Sequence, residues 1–248
     1  MKNRSRHYAH APITEAVIAF HCEESNESTL GDILQVAAQL KDDYPKRSDV
    51  AQVQFRLDTA VPQSSNAGRE TIGYKIASGD EKSIAALTPS TFTFSRLAPY
   101  DRWETFRDEA RRVWSAYASF CHPRTVTRVG VRYINRVDIP DPHGAGVDLD
   151  VYFRTAPRIA SELPQAMKAY FFRVELPIQR PNGIVIITET GVPPAAPNVV
   201  SAILDIDAVV QNVQLGVEDA WGAVEQLRNE KNAVFEACIT DATRELIE

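Results

Sequence analysis

The run Arg124–Pro140, RTVTRVGVRYINRVDIP, decides the fold. It is rich in Val, Ile and Tyr and alternates with period two, which predicts a long β-strand. Val129, Val131, Tyr133, Val137 and Ile139 share one face, with Asn135 the only polar member among them. Arg128, Gly130, Arg132, Ile134, Arg136 and Asp138 share the other. Arginines four apart on a strand stand about 13 Å from one another. A stripe of like charge is not buried unpaired, because stripping an ion of its water costs several kcal/mol. The stripe must meet solvent, acidic neighbours or an anionic ligand.

Upstream of this strand the chain reads strand, helix, four strands, helix. Pro12–Cys22 carries apolar groups on both alternating faces, as an interior strand does. Thr29 stands where it can cap a helix, with Asp32 three residues on as its acidic partner. Leu30, Ile33, Leu34, Ala37, Ala38 and Leu40 supply that helix's apolar stripe, which stops before Pro45. Val50–Asp58 alternates again, and Thr59–Arg69 is rich in turn residues. Thr71–Ala77, Lys82–Leu87 and Thr91–Leu97 are short strands joined by hairpin turns. A helix over 101–120 then carries Trp103, Phe106, Ala110, Val113, Trp114, Tyr117 and Phe120 on one face.

Downstream the order repeats. The arginine-striped strand is followed by Leu149–Gln165, where helical spacing broken by Pro157 and Pro164 predicts an interrupted helix. Strands are expected at Lys168–Ile178, Ile184–Thr190 and Val199–Asp207. A long helix over 217–246 is striped by Val217, Trp221, Val224, Leu227, Val234, Phe235, Cys238, Ile239 and Leu246. The shared order predicts an α+β fold of two similar β-α-β(3-4)-α units, residues 1–121 and 122–248, within one compact domain. Each unit would be an antiparallel sheet with its helices on one face. The two sheets could join into one continuous curved sheet, as in a TATA-binding-protein-like duplication, an analogy of fold that carries no function.

Composition narrows the classes. With 27 Lys and Arg against 33 Asp and Glu, the formal net charge is −6. That argues against general nucleic-acid binding, which needs clustered cations. No apolar run approaches the roughly 20 residues of a membrane span. Ile13–Cys22 is too short, and too broken by Glu15, for a signal-peptide core. The three cysteines, Cys22, Cys121 and Cys238, are far apart and include no CxxC pair, so a reduced, cytoplasmic chain is expected.

Three segments together resemble a sporadically distributed family of uncharacterised bacterial and archaeal proteins of similar length. They are Pro12-Ile13-Thr14-Glu15-Ala16, Arg128–Arg136 as RVGVRYINR, and a closing helix with Phe235 and Ile239-Thr240. The family's marks are P-[IL]-x-E-[AV] and R-x-G-[LV]-R-Y-x-N-R. The resemblance spans nearly the whole chain. It implies one full-length unit and no particular activity, and its patchy distribution suits an accessory role in a defence or toxin–antitoxin locus.

No phosphate-binding glycine loop and no nucleophile elbow occurs. His21 and Cys22 are adjacent on a strand and so point to opposite faces, which does not make a nucleophile pair. The reading that follows is a non-catalytic binding or regulatory module. Its charged open sheet face, with Arg128, Arg132, Asn135, Arg136 and Arg173, would contact a protein partner or an anionic small ligand, with no cofactor, no membrane, and a homo-oligomer admissible. Glu15, the single charge in the first strand, is expected to clamp Arg132 or Arg136. The alternative is a metal-dependent enzyme acting on phosphate esters or nucleic acid, in which Glu175, Asp205 and Asp207 converge on a divalent cation. The simpler role for those carboxylates is pairing with the arginines across the sheet. A third reading puts a small-ligand pocket between sheet and helices, lined by Trp103, Trp114 and Trp221.

Overall fold

The computed structural model describes residues 8–23, 28–57 and 65–248. The tail with His7, the acidic turn over 24–27 and the loop residues 58–64 lie outside them. Among the described residues, nine strands form one antiparallel sheet. They are β1 (Ile13–Cys22), β2 (Lys46–Leu57), β3 (Ser65–Ala77), β4 (Ser83–Leu87), β5 (Thr91–Leu97), β6 (Val126–Pro140), β7 (Phe171–Gln179), β8 (Asn182–Val192) and β9 (Val199–Leu215). Their spatial order is β2-β3-β4-β5-β1-β6-β9-β8-β7. Four helices accompany them: α1 (Leu30–Gln39), α2 (Trp103–Cys121), α3 (Val217–Cys238) and α4 (Asp241–Ile247). The fold is α+β with a single large antiparallel sheet.

The arginine-striped strand, β6, lies at the centre. It pairs with β1 on one side and, along its whole length, with β9 on the other. In each half of the chain the first strand closes against the last: β1 against β5, and β6 against β9. The register then fixes which side chains share a face. Tyr133 stands between Ala16 and Ile206, and Asn135 between Ile13 and Leu204, on the helix-covered face. Arg132 stands between Val17 and Asp207 on the uncovered one.

The core fills the helix-covered face. Phe20 of β1 packs edge-on to Trp114 of α2 and Trp221 of α3, at ring distances of 4.8 and 5.1 Å, and stacks on Phe92 of β5. Burying each such ring contributes about 1.5–3 kcal/mol. α1 starts where the sequence predicts. The Thr29 hydroxyl accepts from the Asp32 amide while the Asp32 carboxylate accepts from the Thr29 amide, a reciprocal cap.

Four stretches differ from the sequence expectation. Leu149–Gln165 forms only one 3-10 turn, Leu149–Val151. Pro157 and Pro164 lack the amide a helix ladder needs, and this segment instead ties to β8 through the Thr155 hydroxyl, which donates to Glu189, and to the end of α3 through the bridge from Phe153 to Ile239. β3 begins at Ser65, well before Thr71. β9 runs on to Leu215 rather than stopping at Asp207, because Ala208 and Val210 continue the buried alternation. A bulge then absorbs the register shift opposite Val126–Arg128, with Asn212 in the left-handed region at φ 57°. The long last helix breaks at Ile239-Thr240. Ile239 bridges to Phe153, and Thr240 caps α4 by accepting from the Thr243 amide.

Candidate ligand pocket and the charged sheet face

The uncovered sheet face gathers Arg128, Arg132, Arg136 and Arg173, and it pairs each of them. Arg132 grips Asp205 with two parallel bonds, Nε to Oδ1 at 2.8 Å and Nη2 to Oδ2 at 2.5 Å. Arg136 donates to Asp138 at 2.9 Å, to the Ser201 hydroxyl at 3.0 Å and to the Pro193 carbonyl at 2.9 Å. Arg173 donates to Glu175 at 2.7 Å, and Arg128 lies 3.9 Å from Asp207. Burial raises the Asp207 carboxyl above its usual value, with Arg128 and Arg132 opposing. Glu175, Asp205 and Asp207 therefore do not converge on one point; each faces a different arginine. Among the described residues no group of three or more His, Cys, Asp or Glu is placed to hold a metal ion.

One expected member of this face stands elsewhere, and Glu15 does not make its expected contact. Asn135 lies on the helix-covered face, 3% exposed, donating to the Leu204 carbonyl at 2.9 Å. Glu15 is on the uncovered face, but it closes no ion pair with Arg132 or Arg136 and acts on Arg132 only as a through-space attraction. The register explains this: Glu15 sits opposite Ile134, Val17 sits opposite Arg132, and Asp205 already occupies the guanidinium. Cys22 is buried and its neighbour His21 exposed, on opposite faces as expected.

The helix-covered face holds a pocket of about 620 Å³, within the range of small-molecule sites. Both halves of the chain build it. The first half contributes Tyr8, the entry to β1, and Tyr100–Glu104 at the start of α2. The second contributes Tyr133 and Asn135 of β6 and the Arg228–Glu236 stretch of α3. Of the three tryptophans, only Trp103 lines it; Trp114 and Trp221 belong to the aromatic core.

Lys231 is the anomaly of this pocket. It is 7% exposed, and its Nζ sits 3.5 Å from the centre of the Tyr133 ring. Among the described residues it has no hydrogen-bond acceptor and no carboxylate partner. The nearby acids are otherwise engaged. Glu225 accepts from Arg107 and from Trp103 Nε1, and Glu236 accepts from the Tyr8 hydroxyl at 2.6 Å and from Arg244. Arg228, one helical turn before Lys231, stacks over Trp103 at 5.2 Å and adds a second positive charge. A desolvated cation–π contact returns up to about 2 kcal/mol, against a burial cost of several. Burial, with Arg228 adding, accordingly drives the Lys231 amine down from 10.5 to about 7.

Beside it the Tyr100 and Tyr133 hydroxyls are 2.8 Å apart. Burial pushes the Tyr100 phenol up to about 12 and the Tyr133 phenol well above its usual value, so both stay protonated at neutral pH. In such a pair one hydroxyl donates and the other keeps its proton for a third group. The pocket thus offers two cations, a spare phenol proton and aromatic walls.

The sequence expectation passed over Lys231, although a signal for it exists. Trp221, Val224, Leu227, Lys231, Phe235 and Cys238 run at helical spacing, which places a lysine inside an apolar stripe. Asn135 gave the same kind of signal on β6. Neither protein-family models nor curated proteins give a match to the chain.

Proposed function

We propose that the protein is a non-catalytic binding module for a small anionic molecule, received in the pocket between β6, α3 and the start of α2. The carrying observation is Lys231, a buried ammonium without a counter-charge among the described residues, joined by Arg228. An anion bound there would supply the missing charge, and the walls of Tyr100, Trp103 and Tyr133 favour one carrying a planar or apolar body. The open-face arginines support this siting indirectly, because their own carboxylates already neutralise them. The metal-dependent alternative would need Glu175, Asp205 and Asp207 to let go of three arginines.

We read the matched strand order as two similar units, 1–121 and 122–248, with the pocket at their seam. Such a pocket suits a regulatory protein, since a ligand there would brace both halves and could alter how the uncovered sheet face meets a protein partner. A role in an accessory defence or toxin–antitoxin locus, in the cytoplasm, rests on the family resemblance.

The test uses phenyl phosphate, an anion with an aromatic body, against chloride at matched ionic strength. At a hundred times its dissociation constant a ligand stabilises by about 2.7 kcal/mol, so Tm should rise by several degrees. The rise should vanish in Lys231→Met. An equal rise in the variant, or none in the wild type, would overturn the siting.

A further inference from the structure

We propose that Lys231 is a nucleophile that captures an anionic aldehyde or ketone in this pocket as an imine. The inference rests on the anion-pocket reading and deepens it by naming the chemistry of the ligand. The geometry supplies each requirement. A primary amine stands at the wall of a cavity large enough for a substituted ring, with no acceptor among the described residues holding it. Arg228, one turn away on the same helix, offers a guanidinium to an anionic substituent. The Tyr100–Tyr133 hydroxyl pair provides a proton donor on the same wall.

A surface lysine is almost wholly ammonium at neutral pH and has no lone pair to give. Lys231 is about half free amine near pH 7. Desolvation beside another cation is a recognised way to arm a lysine.

The step balances without a further reactant. The Lys231 Nζ lone pair adds to the carbonyl carbon, and the carbonyl π pair moves to oxygen. That oxygen takes a proton, with the spare phenol proton of the tyrosine pair as donor. The carbinolamine then loses its hydroxyl as water. Both amine hydrogens are removed overall, one returning to the phenol and one leaving in the water. The products are a C=N bond to Lys231 and one water molecule.

The experiment uses pyridoxal 5′-phosphate purely as a probe, because it joins an aldehyde, a planar ring and a phosphate. Its alcohol, pyridoxine 5′-phosphate, is the control without the carbonyl. The full chain is incubated with the aldehyde at pH 7, reduced with borohydride, digested and mapped by mass spectrometry. The expected result is a label at Lys231 at least about tenfold above that at exposed Lys41, Lys46, Lys75 or Lys168, in line with its larger fraction of free amine. Excess alcohol should suppress that label. Lys231→Arg should lose it, and the competition in the wild type stands even if that variant fails to fold. If the alcohol raises Tm but borohydride leaves Lys231 unlabelled, or label spreads evenly over surface lysines, the imine is overturned and the anion pocket survives. If neither compound binds, both fall.

Discussion

Replacing Lys231 by Met should make the protein more stable at neutral pH, an unusual outcome for a buried substitution. Met has nearly the same length and adapts to irregular space, so little packing is lost. What is removed is a charge held out of water. The Lys231 amine falls from 10.5 to about 7 on folding, and each unit is worth about 1.36 kcal/mol, giving roughly 4–5 kcal/mol of penalty below pH 7. Losing the contact with the Tyr133 ring subtracts up to about 2 kcal/mol. The net expectation is a gain of roughly 2–5 kcal/mol at pH 6. Tyr133 from β6 and Arg228 on α3 act on the amine; Tyr100, Asp101, Glu104 and Glu236 line the same pocket.

The pH dependence gives the sharper signature. Between about pH 7 and 10.5 the unfolded chain still holds the lysine proton that the folded chain has released, so wild-type stability climbs with pH across that window. Below pH 7 both states are protonated and the penalty is constant. Urea melts of wild type and Lys231→Met at intervals from pH 6 to 10 read this directly. The advantage of Met should be largest at pH 6 and shrink towards pH 10. A variant less stable than wild type at every pH would mean that Lys231 is a satisfied structural cation, and the reasoning would be refuted.

Further outcomes follow from the same geometry. Asp205→Asn removes the charge of a two-bonded ion pair whose carboxylate is nearly buried, and should cost about 1–3 kcal/mol in a urea melt. Glu15→Gln should change stability by no more than about 0.5 kcal/mol, because Glu15 closes no ion pair with either arginine it was expected to clamp; a loss above about 1 kcal/mol would restore the clamp. Glu189, fully buried on β8, accepts from the Thr155 hydroxyl at 2.6 Å and the Tyr170 hydroxyl at 3.2 Å, and burial holds its carboxyl above 4.5. Its raised value means that its contribution is whole below pH 4.5 and declines as pH rises past it. Glu189→Gln, which keeps an acceptor and drops the charge, should therefore gain on the wild type in thermal melts as pH rises from 4.5 to 7.

How much of this was legible in the sequence depends on whether the information is local. β6 and β5 were readable because alternation over Val126–Pro140 and Thr91–Leu97 is a property of the segment itself. The cap at Thr29 was readable for the same reason. The extension of β9 to Leu215 was not, since Gln211 and Asn212 look like a turn until the bulge against β6 is known. Leu149–Gln165 carried helical spacing, but its prolines left attachment to the sheet as the stronger option. That Asp205 pairs with an arginine followed from charge and face, whereas the choice of Arg132, and with it the failure of Glu15 to pair, depended on a register no sequence pattern specifies. The pocket was the least visible feature. Its walls come from four separated segments, and Lys231 looks like any helix lysine unless the apolar stripe around it is counted.

The central claim is that Lys231 is a buried cation awaiting an anion, and the most direct test is its own titration. The side-chain resonance of Lys231, in protein labelled with carbon-13 lysine and assigned by its absence in Lys231→Met, would be followed from pH 5 to 11 with and without phenyl phosphate. The account predicts a midpoint near 7 in the free protein and a rise of at least about one unit when the anion is bound, because each favours the other's charged form. A midpoint near 10.5 in the free protein, or one that the anion leaves unmoved, would contradict it.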